Sequence, residues 1–502
     1  MIKKKFNDII NNYLNLVEKV ANKLPDPFFL FLILSFLVIG LSAVLSYYNL
    51  SVLHPASGLK VYPENLLEIQ NLQKLITNIV ANFIGFPPLG LVLASMIGIG
   101  IADKSGFFST ALRYSLLKFP DKLLVPAVCF VSVNSSLIAD AGVVVLPPLA
   151  GILFLAKGKN PIAGICASFS AVVGGFSANL SVTALDPLLA ELTQSAANEL
   201  NLDYVVHAPS NYYFMFVSVF LVTFVCTYVT NRIVIPRLGI SNVKSEKFKE
   251  ISPIEIKAIW ASFASVFIIL LTVLVNSFGD TAFFRDQNGG FTILYESIIP
   301  LIIIIFGVSG TVFGLIIGKI KSSKSLVDMM VATMNQMGVY LLLAFAAGQF
   351  LALFSWSNLG VIVAVKGADL IISLGLEGFP ILFLFLIFSM VLNIFISSAS
   401  AKWTIIAPVF VPMLMLIGWS PELTQLIYRV ADSTTNMITP LLPYFPLIIV
   451  FAKKYDNDIS LGKLLSSLIP YSLFLFITWS ILIFIWIYFN LPLGPDSQLF
   501  YQ

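Results

Sequence analysis

Long apolar runs alternate with short polar connections along the whole chain, and most of the runs have the length of a membrane-crossing helix. A helix needs about 20 apolar residues to cross a hydrocarbon layer about 30 Å thick. Nine runs reach that length, near residues 28–48, 83–101, 161–185, 212–231, 258–276, 297–318, 329–354, 423–452 and 467–490. The pattern therefore predicts nine transmembrane helices, one of which Pro440, Pro443 and Pro446 must interrupt.

Two further apolar runs are broken in the middle by polar residues. Residues 123–156 contain Asn134-Ser135-Ser136, and residues 384–418 contain the stretch from Ser397 to Lys402. Irregular backbone at membrane depth is tolerated only inside protein or beside a water-filled cavity. We therefore predict two re-entrant helical hairpins, each of which enters and leaves the membrane on one side.

Composition supports an all-α polytopic membrane protein. The chain is 58% hydrophobic and 11% charged, whereas soluble domains average about 25% charged residues. Three isolated cysteines and two isolated histidines cannot build a metal cluster, a haem site or a disulfide framework. We expect no organic cofactor and no enzymatic centre. Residues 1–27 combine lysines with apolar residues at helical spacing, which predicts an amphipathic segment on the membrane surface or against the bundle.

The distribution of basic residues favours one orientation of the chain in the membrane. Cytoplasmic segments of membrane proteins carry an excess of Lys and Arg. With the N-terminus in the cytoplasm, the outer segments hold only four of the 29 basic residues, namely Lys60, Lys74, Arg285 and Lys366. This orientation places residues 359–376 along the outer surface and leaves the tail 491–502 outside.

The two halves of the chain resemble each other in opposite orientation. The first half, 28–231, holds the hairpin 123–156, and the second, 329–490, holds the hairpin 384–418, with residues 232–328 as connecting loop and helices. Asn134 and Asn393 begin the two polar interruptions, and Asn179 and Asn436 follow each at nearly equal separation. Inverted repeats whose interrupted helices meet near the midplane are typical of secondary transporters.

The polar residues of these interruptions indicate an ion site. Asp432 adds a negative charge to oxygens that suit a hard cation such as Na⁺, namely the amide oxygens of Asn134, Asn179, Asn393 and Asn436 and the hydroxyls of Ser177, Thr434 and Thr435. The alternative is that these side chains only satisfy backbone groups freed by the breaks. Asp432 also lies three residues after Arg429, so a simple salt bridge between the two is a second alternative.

An anionic substrate requires positive charge at the same depth. Arg429 and Lys402 supply it, and Arg429 suits a carboxylate or sulfonyl group held in bidentate fashion. Trp403 offers a flat surface for an aromatic ring, unless it serves only in packing. Pro421 ends one arm of the second hairpin. Asp186 has three interpretations: proton carrier, ligand of a substrate amine, or cap of the next helix.

Longer motifs make a family resemblance specific. They are VEKVANKLPDPFFLFLIL, GIADKSGFFSTALR, AGVVVLPPLAG, GGFSANLSVTALDPLLAELTQSAA, SSASAKWTIIAPVFVPMLM and SPELTQLIYRVADSTTNMITPLLPYFPL. With these motifs the chain resembles the AbgT family, the p-aminobenzoyl-glutamate transporters, over essentially its whole length. The resemblance implies a homodimer whose protomers each have nine transmembrane helices and two hairpins. It also implies a Na⁺ site at Asn393 and Asp432, and a substrate pathway at Asp186, Trp403, Pro421 and Arg429.

The function expected from this resemblance is secondary active transport in the bacterial inner membrane. The solute would be p-aminobenzoyl-glutamate or a sulfonamide-like antimetabolite, coupled to Na⁺ or H⁺. A passive channel for small anions is the alternative, and it would need a continuous polar path instead of a buried site. The expected partners are the small solute, the lipid bilayer and a second copy of the chain, and not nucleic acid.

Overall fold

The protein is mostly helical (77%). The computed structural model describes residues 27–53, 58–117, 120, 123–138, 141–239, 251–278, 282–285, 291–376, 378–396, 398–439, 442, 444–459 and 461–501. Except for Pro27, the predicted amphipathic segment lies outside these ranges. Among the described residues, eight helical stretches are long and apolar enough to cross a membrane. The total of nine crossings remains a prediction.

The first half runs from the first long helix to a helix that ends in a π-helical turn. Its strands β1 (Val52–Leu53) and β2 (Lys60–Val61) form a short antiparallel ladder between the first two helices. The helices are α1 (Pro27–Tyr47), α2 (Ile69–Ile84), α3 (Pro88–Ser105), α4 (Phe107–Leu117), α5 (Leu124–Val133), α6 (Ala141–Ala156), α7 (Pro161–Gly174), α8 (Leu185–Ala197), α9 (Tyr212–Val229) and α10 (Ile235–Leu238). The predicted run 83–101 is thus two helices, because Pro87 and Pro88 separate α2 from α3.

The connecting region and the second half contain the remaining helices. They are α11 (Pro253–Val275), α12 (Thr292–Glu296), α13 (Ile298–Ile316), α14 (Ser323–Met334), α15 (Gly338–Trp356), α16 (Leu359–Ser373), α17 (Phe379–Phe395), α18 (Ala399–Leu416), α19 (Pro421–Thr435), α20 (Phe445–Lys453) and α21 (Leu461–Tyr488). The predicted run 329–354 is divided between α14 and α15 by a short 3₁₀ turn at Asn335–Met337.

A pair of helices occupies each predicted hairpin position, and the re-entrant course of these pairs remains a prediction. Helices α5 and α6 form the first around a 3₁₀ tip at Asn134–Ile138, and α17 and α18 form the second. The second begins at Phe379, five residues before the predicted start, because Gly378 (φ +73°) and Pro380 mark the real helix start. The prolines inside α6 and α18 do not end those helices.

Each hairpin packs against an interrupted helix. Helix α7 ends in a 3₁₀ turn at Gly175–Ser177, and the chain resumes as α8; helix α19 ends in a 3₁₀ turn at Asn436–Ile438 and resumes as α20. The first hairpin packs against α7, and the second packs against α19. A Cβ at Gly175 would lie 2.4 Å from the carbonyl oxygen of Val133, so the first contact requires glycine.

Two hydrophobic cores hold these elements. The larger core contains both hairpins and both interrupted helices, together with α9, α15 and α21. The smaller core joins α3 and α4 to α11 and α13. Gly98 packs against the backbone of Ile303 and Gly100 against Thr333, so both glycines allow close helix packing. Many large apolar side chains on α1, α9 and α11 are exposed, as expected for surfaces that face lipid.

Helix α16 occupies residues that we expected along the outer surface. One of its faces is buried, including Val361, Ala364 and Ala368, and it packs against hairpin arm α18. A Cβ at Gly367 would lie 2.5 Å from the sulfur of Met413. The segment is therefore a helix that supports the second hairpin. Its depth relative to the outer membrane surface remains a prediction.

Candidate functional site

The two interrupted helices touch where each of them breaks. Ser177, at the end of the first, donates a hydrogen bond to the backbone oxygen of Arg429 at 2.8 Å. Ser433 donates to the hydroxyl of Ser177 at 2.7 Å. These residues come from opposite halves of the sequence and are buried. The two repeats therefore meet at a polar contact inside the larger core.

Arg429 forms an ion pair across that contact with Asp186. Its Nη2 lies 2.6 Å from Oδ1 of Asp186, and both side chains are at most 3% exposed. Oδ2 of the same carboxylate accepts hydrogen bonds from the amide of Thr183 at 2.5 Å and from its hydroxyl at 2.9 Å. Asp186 thus holds the turn at Thr183 that precedes α8 and also neutralises Arg429.

Arg429 keeps unused donor capacity. Its Nη2 also reaches the carbonyl oxygen of Phe176, at a long 3.4 Å. Within the described part of the chain, its Nε has no hydrogen-bond partner. A buried donor without a partner is costly, and most such groups in native proteins are satisfied. The guanidinium therefore has room for another acceptor.

The proposed salt bridge between Arg429 and Asp432 is wrong. Asp432 pairs instead with Lys402, whose Nζ lies 2.5 Å from Oδ1 of Asp432. Although Arg429 and Asp432 are three residues apart on α19, each finds its partner on another element. Sequence spacing favoured the local pair, but the folded chain supplies a distant partner for each charge.

An amide-carboxylate cage surrounds the Lys402 ammonium. We use this name for Asn393, Asp432, Thr435 and Asn436. Nδ2 of Asn393 donates to the backbone oxygen of Asp432 at 2.9 Å, to the Thr435 hydroxyl at 2.8 Å and to Oδ1 of Asn436 at 2.9 Å. Nδ2 of Asn436 donates to Oδ2 of Asp432 at 2.9 Å. These bonds fix both amides and leave Oδ1 of Asn393 and Oδ1 of Asp432 as the inward-facing acceptors.

The arrangement tests the predicted sodium site. Asn393 and Asp432 lie together, as a shared ion site requires. However, Lys402 Nζ donates to Oδ1 of both residues, so an ammonium already holds the two oxygens that a sodium ion would need. In this conformation the cage does not fit an additional metal ion.

The corresponding cluster of the first repeat is built differently. Oδ1 of Asn134 accepts a hydrogen bond from the amide of Leu180 at 3.2 Å, and its Nδ2 donates to the carbonyl of Phe130 at 2.8 Å. Ser136 donates to Oδ1 of Asn179, whose Nδ2 donates to the carbonyl of Gly175 at 3.2 Å. These amides bind backbone freed by the breaks, which supports the alternative of a structural role for them.

Trp403 is completely buried between polar and aromatic neighbours. Its indole stacks on Tyr428, with ring centroids 4.4 Å apart and an interplanar angle of 23°. Its Nε1 donates to the hydroxyl of Thr193 at 2.9 Å. One face of the indole is therefore already covered by an aromatic ring of the protein itself.

Pro421 lies at the start of α19, where Ser420 caps the helix by accepting a hydrogen bond from the amide of Leu423 at 3.1 Å. The C-terminal tail closes over this turn. Its Phe500 stacks on Trp419 with centroids 5.1 Å apart, and the amide of Ser420 donates to the carbonyl of Leu499 at 3.0 Å. Pro421 thus has a clear structural role.

A hydrogen-bonded chain from Trp403 to the loop after α8 is not evident in the sequence. Thr193 donates to Gln425 at 2.6 Å, Gln425 donates to Asn211 at 2.9 Å, and Asn211 donates to the carbonyl of Glu422 at 2.9 Å. Its residues are far apart in sequence. The one available signal was the polar face of α19, on which Glu422 and Gln425 lie at helical spacing from Arg429.

This chain of hydrogen bonds ends at Tyr204, in the loop after α8. Its hydroxyl donates to the buried carboxylate of Glu422 at 2.8 Å. Burial, followed by the nearby Glu422 charge, raises the pKa of Tyr204 well above that of a free phenol. The phenol therefore stays protonated and continues to act as the donor at physiological pH.

Two adjoining cavities are lined by residues of α8 and α15. Their volumes are about 310 Å³ and about 760 Å³, and they share Ser195, Glu199 and Ser355. Ligand clefts commonly measure about 300–1,000 Å³. The smaller cavity reaches Pro408 of α18, the helix that carries Lys402 and Trp403. Arg429 is only 1% exposed, so the ion pairs themselves are closed off in this conformation.

Comparison with known proteins now decides the family. The model of the AbgT putative transporter family matches residues 12–501. The chain belongs to the AbgT transporter family. It is 32% identical over 483 residues to the p-aminobenzoyl-glutamate transport protein of Escherichia coli (strain K12), an alignment that covers 95% of each protein.

Solved structures agree with this AbgT assignment. The Alcanivorax borkumensis YdaH transporter, described as having an unusual topology, is 40% identical, with a TM-score of 0.89; the match covers 94% of this chain and 100% of that one. Neisseria gonorrhoeae MtrF, described as illuminating a class of antimetabolite efflux pumps, is 37% identical with a TM-score of 0.89 and coverage of 97% and 100%. The predictions of a transporter and of no enzyme are confirmed.

Proposed function

We propose that this AbgT protein is a secondary active transporter of p-aminobenzoyl-glutamate or of a related aminobenzoyl or sulfonamide solute, driven by a Na⁺ or H⁺ gradient. The names of its relatives support the solute class, since one is a p-aminobenzoyl-glutamate transport protein and another belongs with antimetabolite efflux pumps. The inverted hairpins and interrupted helices support a transporter architecture.

The buried pair of Arg429 and Asp186 is the observation that carries the proposal. It joins the two interrupted helices, and the Nε of Arg429 is left without a partner in the described structure. A carboxylate or sulfonyl group of the solute would bind Arg429 and take over from Asp186. Arginine suits this exchange because its planar donors bind such groups in bidentate fashion.

The other substrate-site residues have roles consistent with this exchange. Trp403 and Tyr428 form an aromatic pair on the helix surfaces beside Lys402 and Arg429, and the aromatic ring of the solute would pack against that pair. Asp186, once released, would accept a hydrogen bond from an amine of the solute. Pro421 would act indirectly, by fixing where α19 begins.

A route to the site is suggested by the two adjoining cavities. In the orientation chosen from the basic residues, both lie on the outer side, and the smaller one ends at hairpin arm α18. We propose that movement of the hairpins opens the closed site to one side at a time. We also propose nine crossings and two hairpins per protomer, a homodimer in the bacterial inner membrane, a cytoplasmic N-terminus and an external C-terminus.

The coupling ion is part of the proposal. Asn393 and Asp432 are the proposed Na⁺ ligands in any conformation in which Lys402 has left the cage, and Asn436 belongs to the same cage. Asn134 and Asn179 are weaker candidates, because their amide oxygens already accept hydrogen bonds from the amide of Leu180 and from Ser136.

Reconstituted liposomes test this function. Purified protein should accumulate radiolabelled p-aminobenzoyl-glutamate, or a labelled sulfonamide, when a Na⁺ or a pH gradient is imposed separately. Accumulation above the outside concentration distinguishes active transport from passive flux. Equal concentrations inside and outside under every gradient would refute it.

A variant of Arg429 tests whether solute transport depends on this side chain. Arg429→Lys keeps the charge but loses the planar pair of donors, so we expect at least a tenfold lower kcat/KM. Lys60→Met removes a basic residue from an exposed outer segment and is the matched control, with unchanged transport expected. Wild-type transport in a folded Arg429→Lys protein would remove Arg429 from the substrate site.

A further inference from the structure

The ammonium group of Lys402 occupies the position that a bound cation would take. Nζ of Lys402 is completely buried and has three oxygen acceptors: Oδ1 of Asp432 at 2.5 Å, Oδ1 of Asn393 in close contact, and the carbonyl oxygen of Ile396 at 3.4 Å. The centroid of the Tyr428 ring lies 5.5 Å away. An ammonium has three donors, so this acceptor set matches its full hydrogen-bonding capacity.

We propose that the Lys402 ammonium is a tethered cation of the amide-carboxylate cage, and that it and a sodium ion are alternative occupants. A carboxylate, an amide oxygen and a backbone carbonyl are also the ligands that a hard monovalent cation would use. Two cations cannot share these oxygens, because like charges at such short distance repel strongly inside a protein. The inference deepens the proposed function, on which it rests, by stating what must happen before Na⁺ binds.

The cage is preorganised without any metal ion. Within the described structure, every hydrogen bond that the side-chain amides of Asn393 and Asn436 donate is made within the cage. Removal of the ammonium would therefore leave two aimed oxygens and one uncompensated negative charge. Lysine is suited to leave and return, because its ammonium sits on a flexible four-carbon stem.

The consequence is that Lys402 sets the apparent affinity for sodium. In the wild-type protein, Na⁺ must displace an ion that is covalently attached and always present. A variant without the ammonium should bind Na⁺ at much lower concentration. Lys402→Met keeps the length of the stem and removes the charge, and the double variant Lys402→Met with Asp432→Asn removes both charges.

Binding to purified protein in detergent tests the proposal without any transport assay. We would measure ²²Na⁺ binding and the Na⁺-dependent shift of the unfolding temperature, replacing Na⁺ with choline at constant ionic strength. Half-saturation for Lys402→Met should occur at least tenfold below the wild-type concentration, and the double variant should show no saturable binding. A ratio below tenfold between wild type and Lys402→Met would overturn the proposal.

A second variant covers poor folding of Lys402→Met. Lys402→Gln keeps a donor for Asp432 but carries no charge, and it should show the same gain in Na⁺ affinity. Saturable wild-type binding that equals binding to Lys402→Gln would overturn the inference. Neither measurement involves a solute, so failed liposome transport would reject the proposed function and leave this result standing.

Discussion

Removing Asp186 should destabilise the protein more than removing its partner Arg429. In Asp186→Asn, a guanidinium that is 1% exposed loses its counter-charge and keeps only neutral acceptors, the new amide oxygen and the carbonyl of Phe176 at 3.4 Å. Breaking a buried ion pair by removing one partner costs about 3–5 kcal/mol. In Arg429→Met the carboxylate keeps both hydrogen bonds from Thr183, so we expect a loss at the lower end of that range.

The double variant Asp186→Asn with Arg429→Met provides the decisive comparison. It leaves no buried charge at this contact, so it should be more stable than Asp186→Asn alone by about 2 kcal/mol. Such a gain on adding a second substitution reports direct coupling between the two residues. If the losses of stability in the two single variants simply add in the double variant, the two side chains are not energetically coupled and our account of the contact fails.

Thermal unfolding in detergent, followed by tryptophan fluorescence, measures these effects. One kcal/mol shifts Tm by about 2–4 °C in domains of 150–250 residues and by less in a larger chain. We expect Asp186→Asn to lower Tm by roughly 3–10 °C. The exposed Asp203 supplies a matched control, and Asp203→Asn should change stability by no more than about 0.5 kcal/mol. An unchanged Tm for Asp186→Asn would refute the reasoning.

Two further substitutions probe the hairpin contact and the tail. Gly175→Ala places a Cβ 2.4 Å from the backbone oxygen of Val133, so we expect little folded protein by fluorescence-detected size exclusion, whereas Gly90→Ala meets no atom within 4 Å and should behave as wild type. Normal yield of Gly175→Ala would contradict the close packing. Phe500→Ala removes the stack on Trp419 and should lower Tm by an amount equivalent to about 1–2 kcal/mol, because Phe500 is already 40% exposed; an unchanged Tm would show that this stack contributes nothing to stability.

Features that depend only on neighbouring residues in the sequence were predictable. The polar tips of both hairpins appear as interruptions of apolar runs, and the paired Asn positions show the repeat directly. The breaks after α7 and α19 follow from polar stretches that a continuous helix in lipid would not contain. These signals need no knowledge of what lies nearby in space.

Partners between distant segments were not predictable in the same way. Arg429 lies next to Asp432 in helical spacing, and only the fold shows that Asp186 and Lys402 are the true partners. The sequence left open whether Trp403 offers a surface to an aromatic ring or only packs, and the fold shows that Tyr428 covers one of its faces. The docking of Phe500 on Trp419 likewise depends on where the last helix delivers the tail.

The two buried ion pairs have an electrical consequence. Lys402 with Asp432, and Arg429 with Asp186, bring two positive and two negative charges that cancel. An elementary charge moved across 100 mV exchanges about 2.3 kcal/mol with the membrane potential. Movement of both pairs together therefore exchanges no free energy with the membrane potential. Except in steps that separate a pair, current recorded during turnover would come from the solute and its coupling ion.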